Sequence, residues 1–174
     1  LIFILDKNNV MGIDLGLTNI ITSSDNKGGK PVIIKGGVLK STNQFYNKQL
    51  SKYNSIAKRC NDIHITKRIL KLHRKRNNKV RDFFHKTSRK IITHCIDHNI
   101  GTIVVGYNKG WKRKIGMRKR NNQNFVSIPF LKLIQQIEYK AEMVGITVIR
   151  TPEEYTSQTC SSCRIVKKSN RKHR

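Results

Sequence analysis

The chain has 174 residues, with 36 Lys and Arg against 10 Asp and Glu, and a formal charge of +26. Such a surface repels itself until a polyanion neutralises it; nucleic acid is the natural partner and an anionic membrane surface the plainer competitor. No apolar stretch approaches the roughly 20 residues that cross a bilayer, and LIFILDKNNV at the start has too short an apolar run for a secretory signal.

Residues 10–15, VMGIDL, read as a strand. Gly16 permits a turn, TNIITSS reads as a second strand, and VIIKGGVL after the DNKGGKP turn as a third. From Thr42 to about Asn99 the spacing becomes helical. A first helix is expected over about 42–60, with Phe45, Tyr46, Leu50, Tyr53, Ile56 and Ala57 inward. A second carries Val80, Phe83, Phe84, Thr87, Ile91 and Cys95 at steps of three or four. Residues 58–90 hold thirteen Lys and Arg against two Asp, too one-sided for i,i+4 pairing to satisfy. That excess marks a surface facing nucleic acid, with a solvated helix face as the alternative.

TIVVGY, 102–107, fits a buried strand. NKGWKRKIGMRKRNNQN reads as a basic loop, in which Trp111 either stacks on a base or packs on the core. Residues 129–144 form a helix, with Pro129 in its first turn and Gly145 as stop. ITVIR is the last strand. The order β-β-β-α-α-β-α-β predicts an α/β sheet with helices packed on it.

Four cysteines are present. Cys60 and Cys95 stand singly in helical stretches and read as small interior residues. Cys160 and Cys163 form a Cys-x-x-Cys knuckle without a second pair before Arg174. Structural zinc takes four ligands, and a solvated His173 is a poor third. The knuckle, the basic ending and the start at Leu1 rather than Met lead to the expectation of a fragment.

Phosphodiester cleavage without a nucleophilic side chain usually takes metal ions held by carboxylates. Alternation along 10–15 puts Val10, Gly12 and Asp14 on one face, opposite Met11, Ile13 and Leu15. A lone carboxylate inside an apolar first strand is costly unless something positive sits on it. Asp14 is therefore the first metal-ligand candidate, its alternative being a strand-end turn cap. Glu153 and Glu154 follow the ITVIR strand and reach Asp14 if that strand lies beside the first; Glu142 is the third candidate.

Four blocks carry a family resemblance: GIDLGLTNIITSSD, HKTSRKIITHCIDHNIGTIVVGYNKGWK, NFVSIPFLKLIQQIEYKAEMVGI, and EEYTSQTCSSC with KKSNRKHR. In this order, from about Val10 to Arg174, they resemble TnpB, the OrfB-type transposon-encoded RNA-guided DNA endonucleases. The resemblance implies an RNase H-like, RuvC-like mixed sheet with flanking helices over 1–155. It adds a basic helical insertion at about 42–99 and the first half of a zinc ribbon at 156–174. Asp14 matches the first catalytic acid and binds Mg2+; Cys160 and Cys163 match half of a Zn2+ site. The second acid commonly ends the 102–106 strand, where this chain has Gly106, so Glu153 is expected to take its place, with Glu154 and Glu142 behind it. A third acid and a second Cys pair would lie beyond Arg174, and the chain alone is expected to be inactive.

The expected partners are DNA and a guide RNA, with no membrane and no small-molecule substrate, in the cytoplasm of a prokaryotic or viral host. The expected contacts are Lys67, Arg68, Lys71, Arg74, Lys75 and Arg76 on the helices. Lys109, Trp111, Lys112, Arg113, Arg118, Lys119 and Arg120 are the expected contacts in the loop. The alternative is a catalytically inactive, nucleic-acid-binding transposon remnant.

Overall fold

The computed structural model describes residues 3–60, 65–107 and 127–152, together with 163, 165 and 167. Three strands open the chain: β1 (Asp6–Leu15), β2 (Asn19–Asp25) and β3 (Val32–Lys35). Two helices follow, α1 (Gly37–Arg59) and α2 (Lys67–Asp97), then β4 (Ile100–Gly106), α3 (Phe130–Glu142) and β5 (Thr147–Thr151). The five strands form one sheet in the order β3-β2-β1-β4-β5. β1, β2 and β3 are an antiparallel meander. β4 runs parallel to β1, and β5 parallel to β4. This mixed sheet with flanking helices has the element order expected from the sequence.

One face of the sheet carries the core. Met11, Ile13 and Leu15 of β1 and Ile103 and Val105 of β4 point to the helices. There they join Phe84, Ile91 and Cys95 of α2 and Leu133, Ile134 and Ile137 of α3 in one buried cluster. The other face is open among the described residues: Gly12, Asp14, Ser24, Ile33 and Ile149 are exposed on it.

Two glycines sit where chains nearly touch. A Cβ on Gly36 would lie 2.6 Å from the Leu17 carbonyl oxygen, and one on Gly101 would lie 2.6 Å from the Asp6 carbonyl oxygen. The first contact ends β3 at Lys35, so Val38 and Leu39 belong to α1, not to the longer strand expected over 32–39. α1 accordingly starts five residues earlier than expected. Its inward stripe is Leu39, Asn43, Tyr46, Leu50, Tyr53 and Ala57, at alternating steps of four and three. Phe45 and Ile56, expected inward, lie off that stripe and are 60% and 46% exposed.

α2 is a single helix of 31 residues, about 46 Å long at 1.5 Å per residue. Thr66 caps it, its hydroxyl accepting from the Ile69 N–H at 3.3 Å. Asn99, with φ 54°, takes the left-handed conformation that follows a helix end. Its side chain accepts from the Asp6 N–H at 3.1 Å, and its carbonyl accepts from Asn9 Nδ2 at 2.7 Å. From Val80 onward α2 is core. Within the stretch expected as a basic helical insertion, about 42–99, α1 packs against α2, and α2 joins the core cluster from Val80 onward. Among the described residues no helix is long and apolar enough to cross a membrane.

Candidate functional site

Asp14 sits in the last turn of alternation of β1, exposed, on the open face. The burial cost that first singled it out does not apply, because the apolar neighbours point the other way. Across β1–β2 it is paired with Thr22, which is paired in turn with Ile33 of β3. On the other side Ile13 pairs with Val105. One step along that parallel register sets Gly106 beside Asp14, and Gly106 pairs with Thr151 of β5. A single row therefore runs Ile33, Thr22, Asp14, Gly106, Thr151 across the open face. Asp14, Gly106 and Thr151 stand at the carboxyl ends of three parallel strands, the end where open α/β sheets place their ligands.

No hydrogen bond or ion pair holds the Asp14 carboxylate among the described residues. The row offers one carboxylate and two hydroxyls, hard oxygen donors of the kind Mg2+ accepts while keeping several waters. Among the described residues no group of three or more His, Cys, Asp and Glu is close enough to hold a metal. The donor types in the row suit a hard divalent ion that keeps several waters, with Asp14 as its one carboxylate. Glu153 and Glu154 follow Thr151 by two and three residues and lie outside the described residues, as does Cys160.

Glu142 is placed elsewhere. It ends α3 on the helix side, just before the turn that leads into β5. The neighbouring Val144 carbonyl accepts from the Phe3 N–H at 3.1 Å, which fixes that turn at the start of β1. Asp14 lies eight residues further along β1, roughly 25 Å away at strand spacing, and on the other face. The structure does not bring the two acids together. Glu138 is committed as well, accepting from Arg150 Nε at 2.5 Å and Nη2 at 2.6 Å.

The basic candidates divide. Lys67, Arg68, Lys71, Arg74 and Lys75 are exposed on α2. Neither ion pair found among the described residues involves them. Arg76 is different. Its Nε donates to Asn43 Oδ1 at 2.9 Å, its Nη1 to Asn77 Oδ1 at 3.0 Å, and its Nη2 to the Ser127 carbonyl. Its guanidinium lies 5.7 Å from the Tyr46 ring centre. Arg76 ties α1, α2 and the approach to α3 together and has few donors to spare for phosphate. Lys109, Trp111, Lys112, Arg113, Arg118, Lys119 and Arg120 lie outside the described residues.

Of the cysteines, Cys95 is buried, and burial pushes its thiol pKa up to about 12. Cys60, expected inside, is exposed as the residue that ends α1, and Cys163 is exposed too. Thr22 and Thr151 escaped sequence reading because hydroxyls on strands are common; only the register shows that Thr22 pairs with Asp14 and that Thr151 stands beyond Gly106 in the same row.

A family model described as OrfB_IS605, probable transposase, matches residues 5–112. A second, described as a Cas12f1-like TNB domain, matches residues 130–174. That match begins with α3, whereas the sequence put the boundary at 156; α3 and β5 belong to the sheet and its core. The chain is 29% identical to the CRISPR-associated endodeoxyribonuclease Cas12f1 of Syntrophomonas palmitatica, over 97% of this chain and 34% of that protein. It is 23% identical to the TnpB-like protein L79 of Acanthamoeba polyphaga mimivirus, over 92% of this chain and 32% of that protein. Among solved structures it is similar to a Cas12f1–sgRNA–target DNA complex, with TM-score 0.65, 20% identity, and 95% and 41% of the two chains covered. A CRISPR-Cas12f ternary complex gives TM-score 0.72 at 20% identity, over 95% of this chain and 32% of that chain. These likenesses carry the fold, which is the RNase H-like α/β fold. The chain spans about a third of the length of the curated relatives it matches. It belongs to the OrfB_IS605 probable-transposase family, the TnpB-type proteins.

Proposed function

We propose that this chain is the nuclease core of a transposon-associated, RNA-guided, metal-dependent DNA endonuclease. The observation that carries the reading is Asp14: a free carboxylate on the open face, at the carboxyl ends of three parallel strands, in a chain of charge +26. The relatives described as endodeoxyribonucleases, and the solved complex with sgRNA and target DNA, support it.

In this reading Asp14 holds Mg2+ together with Glu153, or with Glu154 next to it. The metal supplies Lewis-acid activation of water and stabilises the charged transition state. Lys67, Arg68, Lys71, Arg74 and Lys75, with the basic loop 109–120, hold DNA and guide RNA through phosphates. Arg76 positions them rather than touching the strand. Cys160 and Cys163 supply two of the four ligands of a structural Zn2+. The protein acts in the cytoplasm of a prokaryotic or viral host.

The test is Mg2+-dependent cleavage of guide-matched DNA by a longer protein that contains this chain together with the third acid and the second Cys pair, supplied with its guide RNA. Asp14→Ala is expected to abolish cleavage and Glu153→Gln to slow it strongly; an unchanged rate for Asp14→Ala overturns the reading. Gly106 favours a second reading, a catalytically inactive nucleic-acid-binding remnant, since it stands where the family commonly has an acid. In that case cleavage is missing from the wild type while binding persists.

A further inference from the structure

The cleft between α1 and α2 combines features that phosphate binding alone does not require. It encloses about 720 Å³ and is lined by Thr42, Phe45 and Tyr46 of α1 and by Lys75, Asn78 and Lys79 of α2. That volume lies within the ~300–1,000 Å³ of pockets that take drug-sized ligands, the size class of a nucleotide. Phe45 is 60% exposed at its mouth, and no ring or cation is stacked on it among the described residues. Tyr46, its neighbour, is already fixed: its hydroxyl is 2.8 Å from His73 Nδ1, and Arg76 lies against its ring.

The walls are one-sided in charge. α1 contains no acid at all, and α2 has none before Asp82. Lys75 and Lys79 are exposed, one helical turn apart, and neither is ion-paired among the described residues. An exposed aromatic face gains free energy when a planar partner stacks on it, and lysines at its rim favour an anionic one. Asn78 adds an amide that both donates and accepts. A base with its phosphates meets all three demands, whereas duplex phosphates alone leave Phe45 unused.

We infer that this cleft binds an unpaired nucleotide of a single-stranded nucleic acid, with Phe45 as the stacking platform and Lys75 and Lys79 on the flanking phosphates. The inference rests on the nucleic-acid reading proposed above and adds a base-binding site to it. Stacking on one aromatic side chain recognises a base face without selecting sequence, which suits a strand whose sequence is read by pairing elsewhere.

The test uses the 174-residue chain and three labelled strands of equal length: oligo-dT, oligo-rU and a fully abasic strand. Phe45→Ala is expected to weaken binding of a base-bearing strand by about tenfold and to leave abasic binding unchanged. Phe45→Leu, which keeps an apolar cover without an aromatic face, is expected to behave like Phe45→Ala, and Phe45→Trp to retain affinity with indole quenching on binding. Whichever of oligo-dT and oligo-rU loses affinity identifies the strand that uses the site. Equal losses on base-bearing and abasic strands, no loss on any strand, or full affinity in Phe45→Leu overturns the inference. A Lys75→Ala/Lys79→Ala pair reads the charged surface separately: it is expected to weaken all three strands and to flatten the salt slope by roughly 1.4. If that pair changes nothing, the basic-helix reading fails; if only Phe45→Ala changes nothing, the stacking site alone fails.

Discussion

Gly106 is paired with Thr151 in the parallel β4–β5 ladder, in the same row of the open face that passes through Asp14. Ile103 and Val105 are fully buried on the other side of β4, so a side chain at 106 would stand on the face that carries Asp14. The position beside Asp14 in this row therefore carries no side chain. Gly106→Glu is expected to add a second carboxylate there and to raise Mn2+ affinity by roughly tenfold, since affinity for hard cations follows ligand charge count. Isothermal titration of wild type and variant checks this; an unchanged affinity would mean that β4 does not end at the metal position.

Arg76 is expected to matter for stability more than for strand binding. Asn43 is 1% exposed, and its carbonyl oxygen depends on Arg76 Nε. Removing the guanidinium leaves that acceptor buried and unpaired, a loss of about 2 kcal/mol. Arg76→Lys is expected to lose nearly as much, because an ammonium cannot reproduce a planar fork serving three partners. Urea unfolding midpoints of wild type, Arg76→Lys and Arg76→Met measure the effect; a full rescue by Lys would contradict it.

The thiols should separate cleanly in a reagent assay. With its pKa pushed up to about 12 by burial, Cys95 carries almost no thiolate at neutral pH and is closed to solvent. It is expected to resist a disulfide reagent until the chain unfolds, while Cys60 and Cys163 react in the native state. Peptide mapping after native labelling assigns each thiol; labelling of Cys95 in folded protein would contradict its place in the core.

Stability should fall on the acid side through His94. Burial of the ring holds its pKa below the usual imidazole value, and repulsion from His98, stacked at 4.0 Å, adds to this. The folded pKa lies below the unfolded one, so the unfolded chain binds the proton first as pH drops. The histidine's contribution is present above about pH 6.5, its unfolded value, and is lost as pH falls through the depressed folded pKa. His94→Gln is expected to flatten the decline in urea midpoint as pH falls below about 6.5; an equally steep decline would assign it to other groups.

Much of this architecture was legible in the sequence. The eight elements of the described residues appear in the predicted order, and the alternation of VMGIDL put Asp14 opposite Met11, Ile13 and Leu15. The run VIIKGGVL misled, because its apolar ends hide a break that depends on how closely Gly36 approaches Leu17 in space. Phe45 was assigned inward for its hydrophobicity, although the four-three stripe through Leu39, Tyr46, Leu50 and Tyr53 already excluded it. Arg76 looked like its basic neighbours, since nothing local reveals a partner 33 or 51 residues away. The row around Asp14 needed the register of four strand pairs, which no single segment encodes.

The central claim is that Asp14 anchors a hard metal ion at the carboxyl ends of β1, β4 and β5. The most direct measurement is paramagnetic broadening of backbone amide resonances by substoichiometric Mn2+, in wild type and Asp14→Asn. Asp14 is exposed, so the variant is expected to keep its fold and its dispersion. Selective broadening centred on Asp14, Thr22, Gly106 and Thr151, lost in Asp14→Asn, is the predicted result. Broadening that persists in the variant, or that centres away from this row, would contradict it.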